Sequence, residues 1–496
     1  MTLTATAQDV ERRGCRRGTP RDQQVLARAP GHRTASDDAT YRGERHQLVV
    51  LAAFSDLDFE DGEQQALQKW DKVFNAVNYR EGPYQGSVHD YFYDQSYGQF
   101  SLTFDLIYLR LDQPRARYAS TKKNDENSQY LVNDIVDILE HYTIDWSLYD
   151  WRGYELVNQL VIIYAGRGMN DGGDQYTIWP HQWWLSQHLK DRQPGVYCEP
   201  RTVTSAVDGK EYTIDCYCAT QELGGRYAPF GTICHEYTHC FAFPDFYYST
   251  TKYVGDWDLL DNGNFNGQGY CPPGFSAHER WLMGWMPLQE LTGPETITQM
   301  PPLSDEPCAF IVRNDGYDEE YYIVENRQQR GWDKHVPGNG LVVFHIDYDA
   351  GIWKSADLFP NHPTYTDDDG IVHPAEKRYT IIPANNSTSY YLADGWPYPY
   401  YNNDQLTNTS RPVAELYHPN TDGTLLMNKP LTDISMDDDG RVSFLFMGGA
   451  TAIDTPHSSD HSTQPSDGCE RTLYNLGPVS IVRHSDGSVR KVIKRR

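Results

Sequence analysis

The chain has 496 residues, 39% hydrophobic and 13% aromatic, enough apolar bulk to fill a sizeable core and to exclude whole-chain disorder. Its 43 Lys and Arg stand against 69 Asp and Glu, a formal charge of −26 that repels phosphate and makes nucleic acid and anionic lipid poor partners. No apolar run reaches the roughly 18 residues that a membrane-spanning helix requires.

Residues 1–44 are poor in apolar side chains, dotted with arginine (Arg12, Arg13, Arg16, Arg17) and expected to be disordered. They hold no apolar stretch of the secretory-signal kind. From Leu48 to Phe54 a continuous apolar run reads as a buried strand, ended by Ser55-Asp56. Helical spacing follows over residues 60–78 (Leu67, Trp70, Val73, Phe74, Val77) and again from Tyr130 to Tyr142. Leu160 to Ala165 is a second buried strand, stopped by Gly166 and Gly168. Strand and helix thus alternate through residues 45–295, the pattern of an α/β or α+β domain. Thr292 to Pro302 is the expected junction. Short β-type runs (309–312, 321–325, 340–346, 379–382, 442–447) then make residues 296–448 a mostly β region. Residues 449–496 read as a flexible linker, rich in Ser, Asp and Pro, then a short alternating piece from Leu473 to Ile481 and a basic tail.

The nine cysteines are an odd number with no repeated CxxC spacing, so buried or idle thiols are the simplest reading. One or two bridges among Cys198, Cys216, Cys218 and Cys271 are the alternative for an exported protein.

Chemistry concentrates in Gly231-Thr232-Ile233-Cys234-His235-Glu236-Tyr237-Thr238-His239-Cys240-Phe241, which contains HExxH. On a helix, residues four apart share a face, so His235 and His239 can aim ring nitrogens at one Zn²⁺. Glu236 then projects beside the ion, where it can take a proton from the attacking water and pass it to a leaving amine. Apolar neighbours (Ile233, Cys234, Phe241, Phe243) bury the helix, where two histidines need partners. A catalytic zinc needs a third protein ligand. Asp245 follows Pro244, which ends the helix and can turn the chain back; Glu279, on a plausible helix over Phe275 to Leu282, is the other candidate.

The stretch His235 to Tyr247 resembles the HExxHxxGxPDxY signature of the immune inhibitor A family of secreted bacterial metalloproteases. Gly86 to Tyr91, Gln95 to Gly98, Asp256 to Asp261, Pro273 to Ala277, Leu282 to Trp285, Glu325 to Gln328, Gly331 to Asp333, Pro337 to Gly340 and His345 to Asp347 extend the likeness over about residues 46–448. It implies an α+β zincin-type catalytic domain, a mixed sheet with an HExxH active-site helix, followed by a mostly β C-terminal domain. It also implies a zinc endopeptidase acting on proteins or peptides, secreted or at the cell surface. The alternative is a catalytically impaired relative serving as a binding protein. The tail from Thr472 looks like a degenerate form of the C-terminal sorting tails of Bacteroidetes secreted proteins. Two departures stand out: Ala242 where the family has glycine, and Leu260 where it has methionine.

Weaker candidates remain. Asp367 to Gly370 and Asp437 to Gly440 could take Ca²⁺, and Asn170 to Asp174 is a similar loop. His181 could line the cleft, although a satisfied core histidine is the simpler reading. Tyr253 and Tyr270 could reach a developing oxyanion.

Overall fold

The computed structural model describes residues 40–119, 127–170, 176–187, 199–353, 359–366, 370–449, 471–476, 479–483 and 489–493. The apolar run near the start becomes strand β1 (Gly43–Ala53). Helices α1 (Gly62–Asn75) and α2 (Val88–Gln95) lead to β2 (Phe100–Arg110); α3 (Ser128–Leu139) precedes β3 (Leu160–Arg167). Then come β4 (His181–Trp184), the ladder β5 (Arg201–Thr204) with β6 (Glu211–Ile214), β7 (Cys216–Leu223) and helix α4 (Pro229–His239).

These strands form a five-stranded sheet in the order β2-β1-β3-β7-β4. The first four run parallel, and β4 runs antiparallel to β7. A central strand of a parallel sheet is covered on both faces, which is why β1 from Leu48 onward and β3 as far as Gly166 are unbroken runs of buried residues. Helix α1 buries Ala66, Trp70, Val73 and Phe74, a stripe at helical spacing. Ser87 caps α2 in a reciprocal box with Asp90, whose carboxylate also binds the amides of Asn78 and Tyr79.

Helix α5 (Ala277–Leu282) leads into the strand-rich part: β8 (Gln289–Glu290), β9 (Glu295–Met300), β10 (Ala309–Asn314), β11 (Tyr317–Arg327) and β12 (Gly340–Asp347). The short strands β13 (Asn361–His362), β14 (Tyr365–Thr366), β15 (Val372–His373), β16 (Glu376–Lys377) and β17 (Tyr379–Ile381) follow, then β18 (Leu431–Met436) and β19 (Val442–Phe446). A second five-stranded sheet has the order β17-β12-β11-β10-β8, and a third has β18-β19-β9. The expected junction from Thr292 to Pro302 therefore contains β9, which pairs with β19.

The second sheet is buried on both faces. Ala309, Ile311, Tyr321, Ile323, Val342, Phe344 and Ile346 join the core of the first sheet. The intervening Phe310, Val312, Tyr322, Val324, Leu341 and Val343 join a second core with Ile297, Leu431 and Phe444. Alternation along each strand thus splits one sheet between two cores. Packing is continuous across residue 296.

Near the C-terminus, β20 (Arg471–Leu476), β21 (Val479–Arg483) and β22 (Val489–Ile493) form an antiparallel meander. The sequence pattern alone shows one short alternating piece here, from Leu473 to Ile481. Its linker, Thr455 to Gly468, lies outside the described residues. No helix among the described residues is long and apolar enough to cross a membrane.

Candidate metal centre

Helix α4 packs on β7, with Pro229 at its first turn, where the missing N–H is no loss. Gly231 lies against a neighbouring backbone: a Cβ there would sit 1.9 Å from Asn264 O. Every residue from Phe230 to His239 is buried. The chain leaves the helix through Ala242, at φ +69°, whose N–H donates to His239 O at 2.8 Å. This left-handed conformation explains the glycine of the family signature and strains the alanine found here.

The turn through Phe243-Pro244-Asp245 folds back under the helix. Asp245 Oδ1 lies 3.3 Å from His235 Nε2 and 3.4 Å from His239 Nε2, and the two Nε2 atoms are 3.1 Å apart. His235 Nδ1 lies 2.9 Å from Leu259 O, and His239 Nδ1 lies 2.8 Å from Phe243 O. A carbonyl has no proton to give, so each Nδ1 must carry the hydrogen. In the neutral imidazoles both Nε2 lone pairs then face the buried Asp245 Oδ1, whose nearest polar neighbours are those two nitrogens. With both imidazoles neutral, three acceptors converge, and the point where they meet favours a cation, whether a proton or a metal ion.

Electrostatics agree. Burial works against a charge on His235, but the Asp245 contact and the Glu236 charge reverse it and lift this histidine to about 9. Burial holds His239 lower than an ordinary histidine, with Asp245 opposing. Burial would raise Asp245, yet His239 and His235 outweigh it and keep its carboxyl well below the usual range. Together the groups favour one positive charge where they meet. Two imidazoles and a carboxylate are a donor set suited to zinc, and the three ligand atoms lie within 4.8 Å of one another. No other such group of His, Cys, Asp and Glu occurs among the described residues.

The remaining candidates sort by geometry. Glu236 is buried beside the histidines on α4, and its charge reaches Tyr164 of β3. Glu279, the alternative third ligand, is outside the group: its Oε2 accepts from Ser276 N at 2.7 Å in a reciprocal cap of α5. Ser276-x-x-Glu279 is a capping-box pattern that the sequence itself displays. His181 is a satisfied core residue, 2.7 Å from Trp179 O and 3.0 Å from Tyr217 Oη. Leu260 is fully buried in the core. Tyr270 packs edge-on against Tyr84, and Tyr253 donates its amide to Asp261.

The turn from Asp437 to Gly440 closes on itself, with Asp437 Oδ1 accepting from Asp439 N and Arg441 N. Residues 367–369 and 171–175, the other acidic-loop candidates, lie outside the described residues. Cys218, Cys234, Cys240 and Cys271 are free and buried, Cys216 and Cys308 are buried, and Cys198 lies outside the described residues.

Sequence reasoning gave no role to Tyr247, whose ring stacks near His235 at 6.4 Å between centroids, under the Lys252 ammonium. It lies two residues after Asp245 and is the tyrosine that closes the family signature, the signal that could have found it.

Comparison with known proteins agrees with this geometry. No curated protein matches the chain significantly. Residues 39–285 match the family model described as immune inhibitor A peptidase M6, catalytic domain. That family is one of metallopeptidases, so a metal and protein or peptide substrates are implied. Through this segment, which spans the converging histidines and aspartate, the chain belongs to the immune inhibitor A peptidase M6 family.

Proposed function

We propose that this protein is a zinc-dependent endopeptidase that acts outside the cell. The observation that carries the reading is the convergence of His235 Nε2, His239 Nε2 and Asp245 Oδ1, two imidazoles whose Nδ1–H groups are engaged by backbone carbonyls and one carboxylate. Those three atoms would hold the ion. When bound, zinc supplies a Lewis acid that polarises the scissile carbonyl and lowers the pKa of a water toward about 7.

The chain's own residues do the rest. The Leu259 and Phe243 carbonyls fix both imidazoles by their Nδ1–H groups, so neither ring needs to reorient during turnover. Glu236, adjacent to the first histidine and not a member of the ligand group, accepts a proton from the attacking water and returns it to the leaving amine. His235, Glu236, His239 and Asp245 are all buried, where the low local dielectric strengthens their electrostatic interactions.

The test is hydrolysis of an internally quenched peptide blocked at both ends, by zinc-loaded wild type and Glu236→Ala. Cleavage by wild type alone supports an endopeptidase with Glu236 as base. Cleavage only of peptides with a free terminus would replace it by an exopeptidase. Export is supported by the family resemblance and by an acidic composition suited to solubility, and is tested by locating the protein in medium or on washed cells.

A further inference from the structure

Two loops outside helix α4 complete the metal centre. One is Phe243 to Phe246, which carries Asp245 and the acceptor for His239. The other is Asp258 to Leu260, which presents the acceptor for His235. The loops are joined by Phe246 N, which donates to Leu260 O at 2.9 Å. Neither belongs to a long helix or strand, so something else must hold them.

Both are gripped by two residues from the strand-rich part, more than a hundred positions later in the chain. Asn361, on β13, donates its amide to Phe246 O at 2.9 Å and to Tyr379 O at 2.7 Å, and accepts from Tyr379 N at 3.0 Å. It is fully buried, and its bonds lock β13 to β17 at this point. Tyr379 lays its ring on Phe246, with centroids 3.8 Å apart and planes 15° from parallel. Its hydroxyl lies 2.9 Å from Asp258 Oδ2 and 2.8 Å from Ser276 Oγ. Asp258 Oδ1 in turn accepts from Leu260 N at 2.8 Å, which fixes the turn holding the Leu259 carbonyl.

We infer that Asn361 and Tyr379 are positioning residues for the metal centre: Asn361 sets the loop that carries Asp245, and Tyr379 sets the turn whose carbonyl orients His235. The strand-rich part is then a working part of the site and not an appended module. This rests on the zinc reading above. Groups that orient metal ligands typically change metal affinity or activity by about 10- to 100-fold when removed.

The experiment measures the zinc dissociation constant of the full chain by chelator competition, with the unfolding midpoint of each apo-protein measured alongside. Tyr379→Phe removes the hydroxyl and keeps the ring stack; Asn361→Leu removes three hydrogen bonds at similar volume. Tyr322→Phe is the control, since it removes another buried phenol from the same sheet, bonded to Glu415 O and facing the second core. The expected result is zinc binding weakened about 10- to 100-fold in Tyr379→Phe and Asn361→Leu, and unchanged in Tyr322→Phe. Unchanged affinity in Tyr379→Phe overturns the inference while leaving the zinc reading intact, whether or not Asn361→Leu folds. Equal weakening in Tyr322→Phe also overturns it, because general destabilisation would then account for the effect. Absence of zinc binding by folded wild type would instead sink the underlying reading.

Discussion

Two of the buried clusters of ionisable groups among the described residues are completed differently. Around Arg327, the guanidinium donates to Asp333 at 2.8 and 2.6 Å and to Glu325 at 3.0 Å, and also lies 3.1 Å from Gly274 O. Glu325 also accepts from Ala277 N and Asp333 from Gly274 N. That cluster contains its own cation and stitches β11 to the start of α5. Around His235, His239 and Asp245 no Lys or Arg takes part, and three potential ligand atoms lie within 4.8 Å of one another. The difference separates structure from chemistry: a buried cluster that supplies its own cation holds the fold, and one built of convergent acceptors takes its cation from outside.

The largest effect expected is on the second cluster. Glu236→Ala should lower peptide hydrolysis by about 10²- to 10⁴-fold with zinc content unchanged, as the role proposed for Glu236 in proton transfer requires. Loss of zinc together with activity would make Glu236 part of the holding group. Next is the first cluster: Arg327→Met strands two buried carboxylates and should cost about 3–5 kcal/mol, read as a lowered unfolding midpoint in denaturant. A fall of under about 1 kcal/mol would show that the cluster is not closed by its arginine.

The two clusters meet near Asp258, whose carboxyl is pushed up to about 7 by burial, with Asp261 adding to the shift. Its native value lies above the ordinary 3.8, so the folded state binds the proton more tightly than the unfolded state. Its contribution to stability is therefore full below about pH 4 and lost as pH rises through about 7. Asp258→Asn should flatten that decline, measured as unfolding midpoint against pH, and an unaltered slope would assign the decline elsewhere. The smallest effect is at Ala242: Ala242→Gly should relieve left-handed strain and raise stability by up to about 1 kcal/mol, offset in part by the freer unfolded chain. A loss of stability would mean that the alanine side chain is better accommodated than its φ of +69° implies.

What could be read from sequence follows the range of the physics. The spacing of His235 and His239 is set by a local period, and Pro244 marks a local turn, so the ligand candidates were visible as a pattern. The buried strands β1 and β3 were visible as apolar runs, whereas β2, which alternates Phe100, Leu102 and Phe104 with polar residues, was passed over. Glu279 was weighed as a ligand although Ser276 three residues earlier already offered it a cap. The carbonyls of Leu259 and Phe243 carry no side-chain signature at all. Asn361 and Tyr379 reach the metal loops across more than a hundred residues, and a single sequence has no period at that range.

The central claim is that the convergent acceptors take a metal ion. Elemental analysis of purified, dialysed wild type and His239→Ala, with folding verified for both, tests it most directly. The account predicts one zinc per wild-type chain and a loss of zinc in the variant. A folded wild type without bound metal, or a variant that retains zinc at wild-type stoichiometry, would contradict it.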